Sequence, residues 1–458
     1  MERLRPRLAS ASREELAVLI ERLASGSAEV AERIDYLTDP GATLKALQRR
    51  ISALRAGRRF ITYAESSGAA AELAAIAADI RADILPRDPP KAAALAEKLF
   101  GLDSTLLDRA DDSSGAIGGE LRAACVLWLD AAAAVRAADP TDGTDWPSML
   151  YDFYQSNDYG VREALLEASD RLLHEDELRA LAARFERDAR EVVAAAKAGK
   201  ADRYHAFSGS SAMGLVARAL RDPKLYEQSI LLHSPQPNAL QANNIAEEYL
   251  DCGDGAGALR WLEATNDGHG VAERLDLKDR AYALLGARGR QIEVRRQVYQ
   301  RAPGLHSYRA LEEILPADER SAFRAQACQE AMMNRDVAAG AELLFALDEL
   351  ERAEQLIVER SVELDGRSYG LLTSIVKTAR TKGRLLAAVL IWRALIDAIL
   401  ARGYAKAYGH AARYLLELRA ASATVADFRG HPRHESYESG LRLAHGRKAS
   451  FWARVNSA

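Results

Sequence analysis

The sequence predicts an all-α protein: an α-solenoid of degenerate, tetratricopeptide-like helical hairpins that follows an N-terminal helical region. Three observations lead there. First, a two-helix unit between Ala239 and Pro303 returns at a fixed step, with Tyr282 standing 33 residues after Tyr249 and Gly286 standing 33 after Gly253. At that period paired helices stack on their sequence neighbours. Second, apolar residues recur at three- and four-residue steps through most of the chain, while the alternation suited to a strand never persists. Third, alanine-rich runs recur, with only 30 glycines and 13 prolines in 458 residues, and alanine enters a helix without losing side-chain entropy.

Taken in order, Ser12 caps a helix over 12–24 with Glu15 as its capping-box partner and Leu16, Leu19, Ile20 and Leu23 as its stripe. After Asp39-Pro40-Gly41, residues 43–63 read as a basic amphipathic helix: Leu44, Leu47, Ile51 and Leu54 share a side, and Lys45, Arg49, Arg50, Arg55, Arg58 and Arg59 occupy the rest. Helices over 69–85 and 89–109 are closed by Pro86 and by the Asp111–Gly115 turn. Another spans 117–137. An aromatic-dense stretch, Trp146 to Asn157, then leads to helices over 161–173 and 175–198.

A polar connection over 199–211 precedes the repeats. In the first of them Ile245, Ala246, Tyr249 and Leu250 share one face, and Gly253 supplies the left-handed stop. Ala258 and Leu262 open the partner face. Further helices are expected over 317–334, 336–347, 349–363, 367–381 and 384–402, the last two hinged at Gly383 with Ile375, Ala388 and Trp392 at the offsets seen around Gly253. The expected organisation is an N-terminal helical region (1–140), an aromatic-rich segment and linker (141–211), the array (212–430) and a basic C-terminal capping helix or tail (431–458).

Bulk chemistry narrows the partners. With 62 basic and 66 acidic side chains the net charge is −4, which gives no global pull toward nucleic acid or an anionic membrane. Three scattered cysteines, Cys125, Cys252 and Cys328, suit a reducing compartment. No stretch approaches the roughly 18–20 apolar residues of a membrane span, and residues 1–24 lack the apolar core of a signal peptide. A cytoplasmic protein is expected, with no membrane partner.

Complete catalytic or ligand-binding constellations are missing from the sequence. His174-Glu175 opens like a zinc-binding helix, but Leu178 stands where the second histidine belongs. His431, His434 and His445 gather without a cysteine. Asp108, Asp111, Asp112 and Glu120 fit no calcium-loop register, and a helix cap and turn explains them better. Gly209-Ser210-Ser211-Ala212-Met213-Gly214 approaches a nucleophile elbow, yet its last glycine is displaced and no strand precedes it. The glycines of Gly253–Gly257 enclose Asp254 and are followed by no phosphate-loop lysine. No cofactor and no metal are expected.

Three segments carry a resemblance. They are Arg109-Ala-Asp-Asp-Ser-Ser-Gly-Ala-Ile-Gly-Gly-Glu-Leu-Arg122, Tyr151-Asp-Phe-Tyr-Gln-Ser-Asn-Asp-Tyr-Gly-Val-Arg162 and the stretch from Tyr437 to Trp452. Together they resemble a bacterial family of unknown function related to SWIM zinc-finger-associated proteins. That zinc module needs a close cysteine pair, and the cysteines here stand too far apart, so the resemblance implies a fold and no zinc chemistry. It marks Asp111, Asp112, Gly115, Asn157, Asp158, Tyr159 and Gly160 as family-motif residues of unknown role.

The function expected from these readings is a non-enzymatic scaffold that binds a protein or peptide on the concave face of the array. Counting from the Gly253 and Gly383 hairpins, that face would present Asn243, Asn244, Glu247, Asp251, Arg280, Lys377 and Arg380. Paired amides can bond an extended backbone and cations can hold its carboxylates. Two alternatives are a nucleic-acid-associated role for the tail, where Arg442, Arg447, Lys448 and Arg454 interleave with Tyr437, Phe451 and Trp452, and a cryptic enzyme built on the 108–120 and 151–160 motifs.

Overall fold

The computed structural model describes residues 12–26, 40–141, 143–198, 203–264 and 268–457. Asp39 of the first break and residues 199–202 of the polar connection lie outside the described residues. The chain is all-α, and among the described residues the one β feature is an isolated parallel bridge between Ile61 and Ala110. Two compact units emerge: residues 1–253 with 264–267, and residues 254–263 with 268–458.

The first unit contains α1 (Arg13–Gly26), α2 (Pro40–Ala56), α3 (Tyr63–Asp79), α4 (Pro89–Phe100), α5 (Asp103–Leu107) and α6 (Ala116–Ala138), then α7 (Trp146–Gln155), α8 (Glu163–Glu167), α9 (Glu175–Lys197), α10 (Arg203–Ala219), α11 (Pro223–His233) and α12 (Ala239–Asp251). Ser12 and Glu15 make the reciprocal bonds of a capping box, at 3.2 and 2.8 Å. α6 is the centre, apolar on more than one side because α3, α4, α5 and α8 all pack on it. Its Trp128 takes Phe153 edge-on at 5.1 Å, and Phe153 meets Phe100 at 5.3 Å. Tyr151 and Tyr154 pack on Phe185 of α9. The aromatic-dense stretch is thus a clasp between helices.

Several boundaries differ from the sequence reading, each for a local reason. The basic helix stops at Ala56 rather than 63. Gly57 leaves room for the Arg109 guanidinium, which donates to the carbonyls of Leu54 and Arg59 at 2.8 and 2.9 Å and so satisfies a helix C-terminus. α3 starts six residues earlier than expected, at Tyr63, because Thr62 and Glu65 form a second capping box. The expected 89–109 helix breaks after Phe100, and 161–173 shrinks to α8 and a 3₁₀ turn, Ser169–Arg171.

The polar connection is helical from Arg203 onward. There Gly209 and Gly214 serve close packing: a side chain at Gly209 would press on Ala189 of α9, and one at Gly214 on Ser229 of α11.

The second unit contains α13 (Gly255–Ala264), α14 (Val271–Leu284), α15 (Arg288–Arg301), α16 (Leu305–Ile314), α17 (Ala317–Met332), α18 (Val337–Ala346) and α19 (Leu350–Glu359). α20 (Tyr369–Thr381), α21 (Leu385–Ala401), α22 (Tyr408–Ser422), α23 (His434–His445) and α24 (Ala449–Asn456) complete it. Consecutive helices pack on one another from α14 to α19 and from α20 to α22, while α16, α18 and α20 lie side by side in one layer and α17, α19 and α21 in another. Left-handed glycines at 286, 383 and 403 turn three of the hairpins. Between α18 and α19 the same task falls to Asp348 at φ 59°, which is why the glycine period looks irregular in the sequence. Ile375, Ala388 and Trp392, placed from the Gly383 turn, are all buried.

Candidate functional site

In the first unit the two family-motif segments fold together. Arg162 makes a two-pronged pair with the buried Asp103, Nε to Oδ2 at 2.7 Å and Nη2 to Oδ1 at 3.2 Å, beneath the Phe100 ring. Asn157 accepts the Arg162 amide at 3.0 Å. Ser104 donates to Asp158 at 3.2 Å and the Tyr159 hydroxyl donates to Asp108. The bond to Asp108 raises the Tyr159 hydroxyl above the ordinary phenol range. Gly160, left-handed at φ 74°, offers its carbonyl to Arg122 at 2.7 Å.

Asp112 caps α6 from upstream, taking the amides of Ile117 and Gly118 at 2.9 and 2.8 Å after the left-handed Gly115. Asp111 is held below the ordinary carboxylate range by the hydroxyl and amide of Ser113. Asp108, Asp111, Asp112 and Asp158 are therefore occupied with amides and hydroxyls, and the neighbouring Asp103 with a guanidinium. Their arrangement is a lock between α4–α6 and α7–α8.

The near-elbow resolves in the same way. Ser210 Oγ lies 2.8 Å from His233 Nδ1, a serine–histidine contact that the sequence did not suggest. Yet Ser210 is buried in mid-helix and its hydroxyl bonds back to the Phe207 carbonyl at 3.0 Å. Burial lowers the His233 pKa.

The candidate array residues fall in separate places. On α12, Asn243 is fully buried, which takes it off any surface, while Asn244, Glu247 and Asp251 are exposed. Arg280 is half-buried on α14. Lys377 and Arg380 come together on α20, on the wall of a groove of about 410 Å³ whose other wall is α22. Arg380 is paired with Glu417 at 2.9 Å and lies over the buried Trp392 ring. Lys377 and Arg413 make no ion pair among the described residues, and Arg413 packs along Tyr414.

A second, more apolar well of about 520 Å³ shares Thr373, Arg413 and Tyr414 with this groove and adds Tyr369, Ile399 and Tyr404. Tyr369 and Tyr404 are largely exposed. Neither Arg413 nor the tyrosines were singled out in the sequence. The signal was present in the glycine after Gly383: Gly403 opens one more hairpin, whose helix carries Tyr408, His410, Arg413 and Tyr414.

At the C-terminus, Phe451, Trp452 and Val455 are buried, and α24 packs on α22. Arg442 lies on the Trp452 ring at 4.1 Å and also bonds Glu438. Phe451 and Trp452 are thus not free for bases to stack on. Cys125 and Cys328 are buried and Cys252 is exposed, all as free thiols. No helix among the described residues is long and apolar enough to cross a membrane.

The fold and these sites define an all-helical protein with a locked motif cluster in its first unit and a cationic groove in its second. A family model, described as a family of unknown function (DUF6880), matches residues 7–454, and the chain belongs to that family. No curated protein and no solved structure matches it.

Proposed function

We propose that this chain is a non-enzymatic α-solenoid scaffold and that the groove between α20 and α22 grips a protein or peptide segment. The observation that carries the reading is Lys377 and Arg413, two cations with no ion pair among the described residues, beside a well lined by Tyr369, Tyr404 and Ile399. Unpaired cations attract carboxylates, and an adjoining aromatic well takes an apolar side chain, so the matching segment is acidic with a bulky apolar residue nearby. A reducing, cytoplasmic setting goes with three free thiols. The association with SWIM zinc-finger proteins rests on the sequence resemblance and adds no ligand chemistry.

The test is binding of the full chain to an array of short peptides varied in charge and aromaticity. Acidic peptides carrying an aromatic residue should be retained at low salt and released as salt rises. The double variant Lys377→Glu, Arg413→Glu should lose them. Retention of the same peptides by the double variant would overturn the groove.

A further inference from the structure

Behind that groove, α21 is apolar throughout except for Arg393 and Asp397, one turn apart. Both line a concavity of about 700 Å³ bounded by α21 and by the segment around Pro432 and Tyr437. Arg393 is 6% exposed. Its guanidinium lies 4.7 Å from the Tyr437 ring and 5.8 Å from the Phe428 ring. Nη2 donates to the Pro432 carbonyl at 2.8 Å, while Nε is buried with no hydrogen bond.

Asp397 accepts one hydrogen bond, from the Tyr437 hydroxyl to Oδ1 at 2.8 Å. Opposite charges four apart on a helix commonly pair. Here neither residue makes an ion pair among the described residues. A buried guanidinium without a carboxylate is costly to the fold, and the exposed Asp397 beside it has one oxygen bonded to Tyr437 and the other turned to no protein donor among the described residues. At the mouth stands Arg402, exposed and also without an ion pair, whereas Arg367 is neutralised by Asp365 at 2.7 Å.

We propose that this concavity binds a small zwitterion of the amino-acid class. Its carboxylate is held by Arg393 with Arg402 at the mouth, and its ammonium is held by Asp397. The size is in the range of sites that enclose small molecules. The closely placed but unbonded cation and anion match a ligand that carries both charges a few ångströms apart. A simple anion would meet Asp397 as a repulsive neighbour.

Thermal unfolding of the full chain in the presence of each free amino acid at millimolar concentration tests the assignment. At least one amino acid should raise the midpoint by several degrees. Its N-acetyl derivative, without the ammonium, and its amide, without the carboxylate, should not. Asp397→Asn should abolish the shift. Arg402→Gln, at an exposed position that leaves the fold intact, should weaken binding severalfold with an unchanged ligand-free midpoint. The proposal is overturned if no amino acid moves the midpoint, if either blocked derivative moves it equally, if inorganic phosphate alone reproduces the shift, or if Arg402→Gln binds as tightly as the parent chain.

Discussion

Two arginines in this molecule lie against aromatic rings with little exposure, Arg162 at 14% and Arg393 at 6%, and they are treated differently. In the first unit Arg162 has a two-pronged carboxylate partner in Asp103, a further bond to the Phe153 carbonyl at 3.3 Å and the Phe100 ring above it. In the second, Arg393 has two rings, one carbonyl and a bare Nε beside a cavity. Taking a guanidinium out of water is unfavourable in both places. The first unit offsets that cost within the chain, and the result is a lock. The second leaves part of the demand unmet, and the result is a place for a ligand. The comparison separates charged residues that hold the fold from charged residues that await something else.

The largest test of this contrast is Asp103→Ala, which strands Arg162 in the interior and should destabilise the first unit by about 3–5 kcal/mol in urea unfolding. Next is Glu438, bound by Arg419 at 2.8 Å and by Arg442 at 2.9 Å. Those two guanidinium bonds hold its carboxyl down to about 2. A depressed carboxyl stabilises the fold above its unfolded-chain value and loses that contribution as pH falls toward the folded one. Glu438→Gln should therefore cost about 1–2 kcal/mol at neutral pH and flatten the loss of stability between roughly pH 4.5 and 2. Acid titration of the unfolding midpoint reads both.

Asp112→Ala removes the cap on α6 and should cost about 1 kcal/mol. The smallest effect belongs to Arg393→Met, which keeps the stem between Tyr437 and Phe428 but deletes the charge. It should change ligand-free stability by less than about 1 kcal/mol, in either direction, because the charge is poorly compensated. If Arg393→Met costs as much as Asp103→Ala, Arg393 is a closed lock like Arg162 and the contrast disappears.

Much of the architecture was legible from local patterns. The 33-residue return from Tyr249 to Tyr282 and the glycine turns needed only periodicity and the left-handed preference of glycine. Counting from Gly383 puts Lys377 and Arg380 on one helix, and both line the groove beside α22. What escaped was anything that depended on a distant partner. Arg109 ends α2 from over fifty residues away by filling the space beside Gly57, and no local rule announces that. The Thr62–Glu65 capping box is a local signal, masked in the sequence by the helical period of the basic stretch before it. Asn243 was placed on a surface by helical counting, yet neighbouring structure buries it. α21 did carry a local sign, two opposite charges in an otherwise apolar helix, although only packing reveals that they line one cavity without bonding.

By itself the sequence determined that the chain would be helical and where most hairpins would turn, since backbone propensity, apolar spacing and glycine conformation act within a few residues. The tertiary structure alone decided which charges close on one another and which face an opening. That distinction depends on the desolvation each group suffers and on partners brought in from dozens of residues away, and neither is a property of any one stretch of the chain.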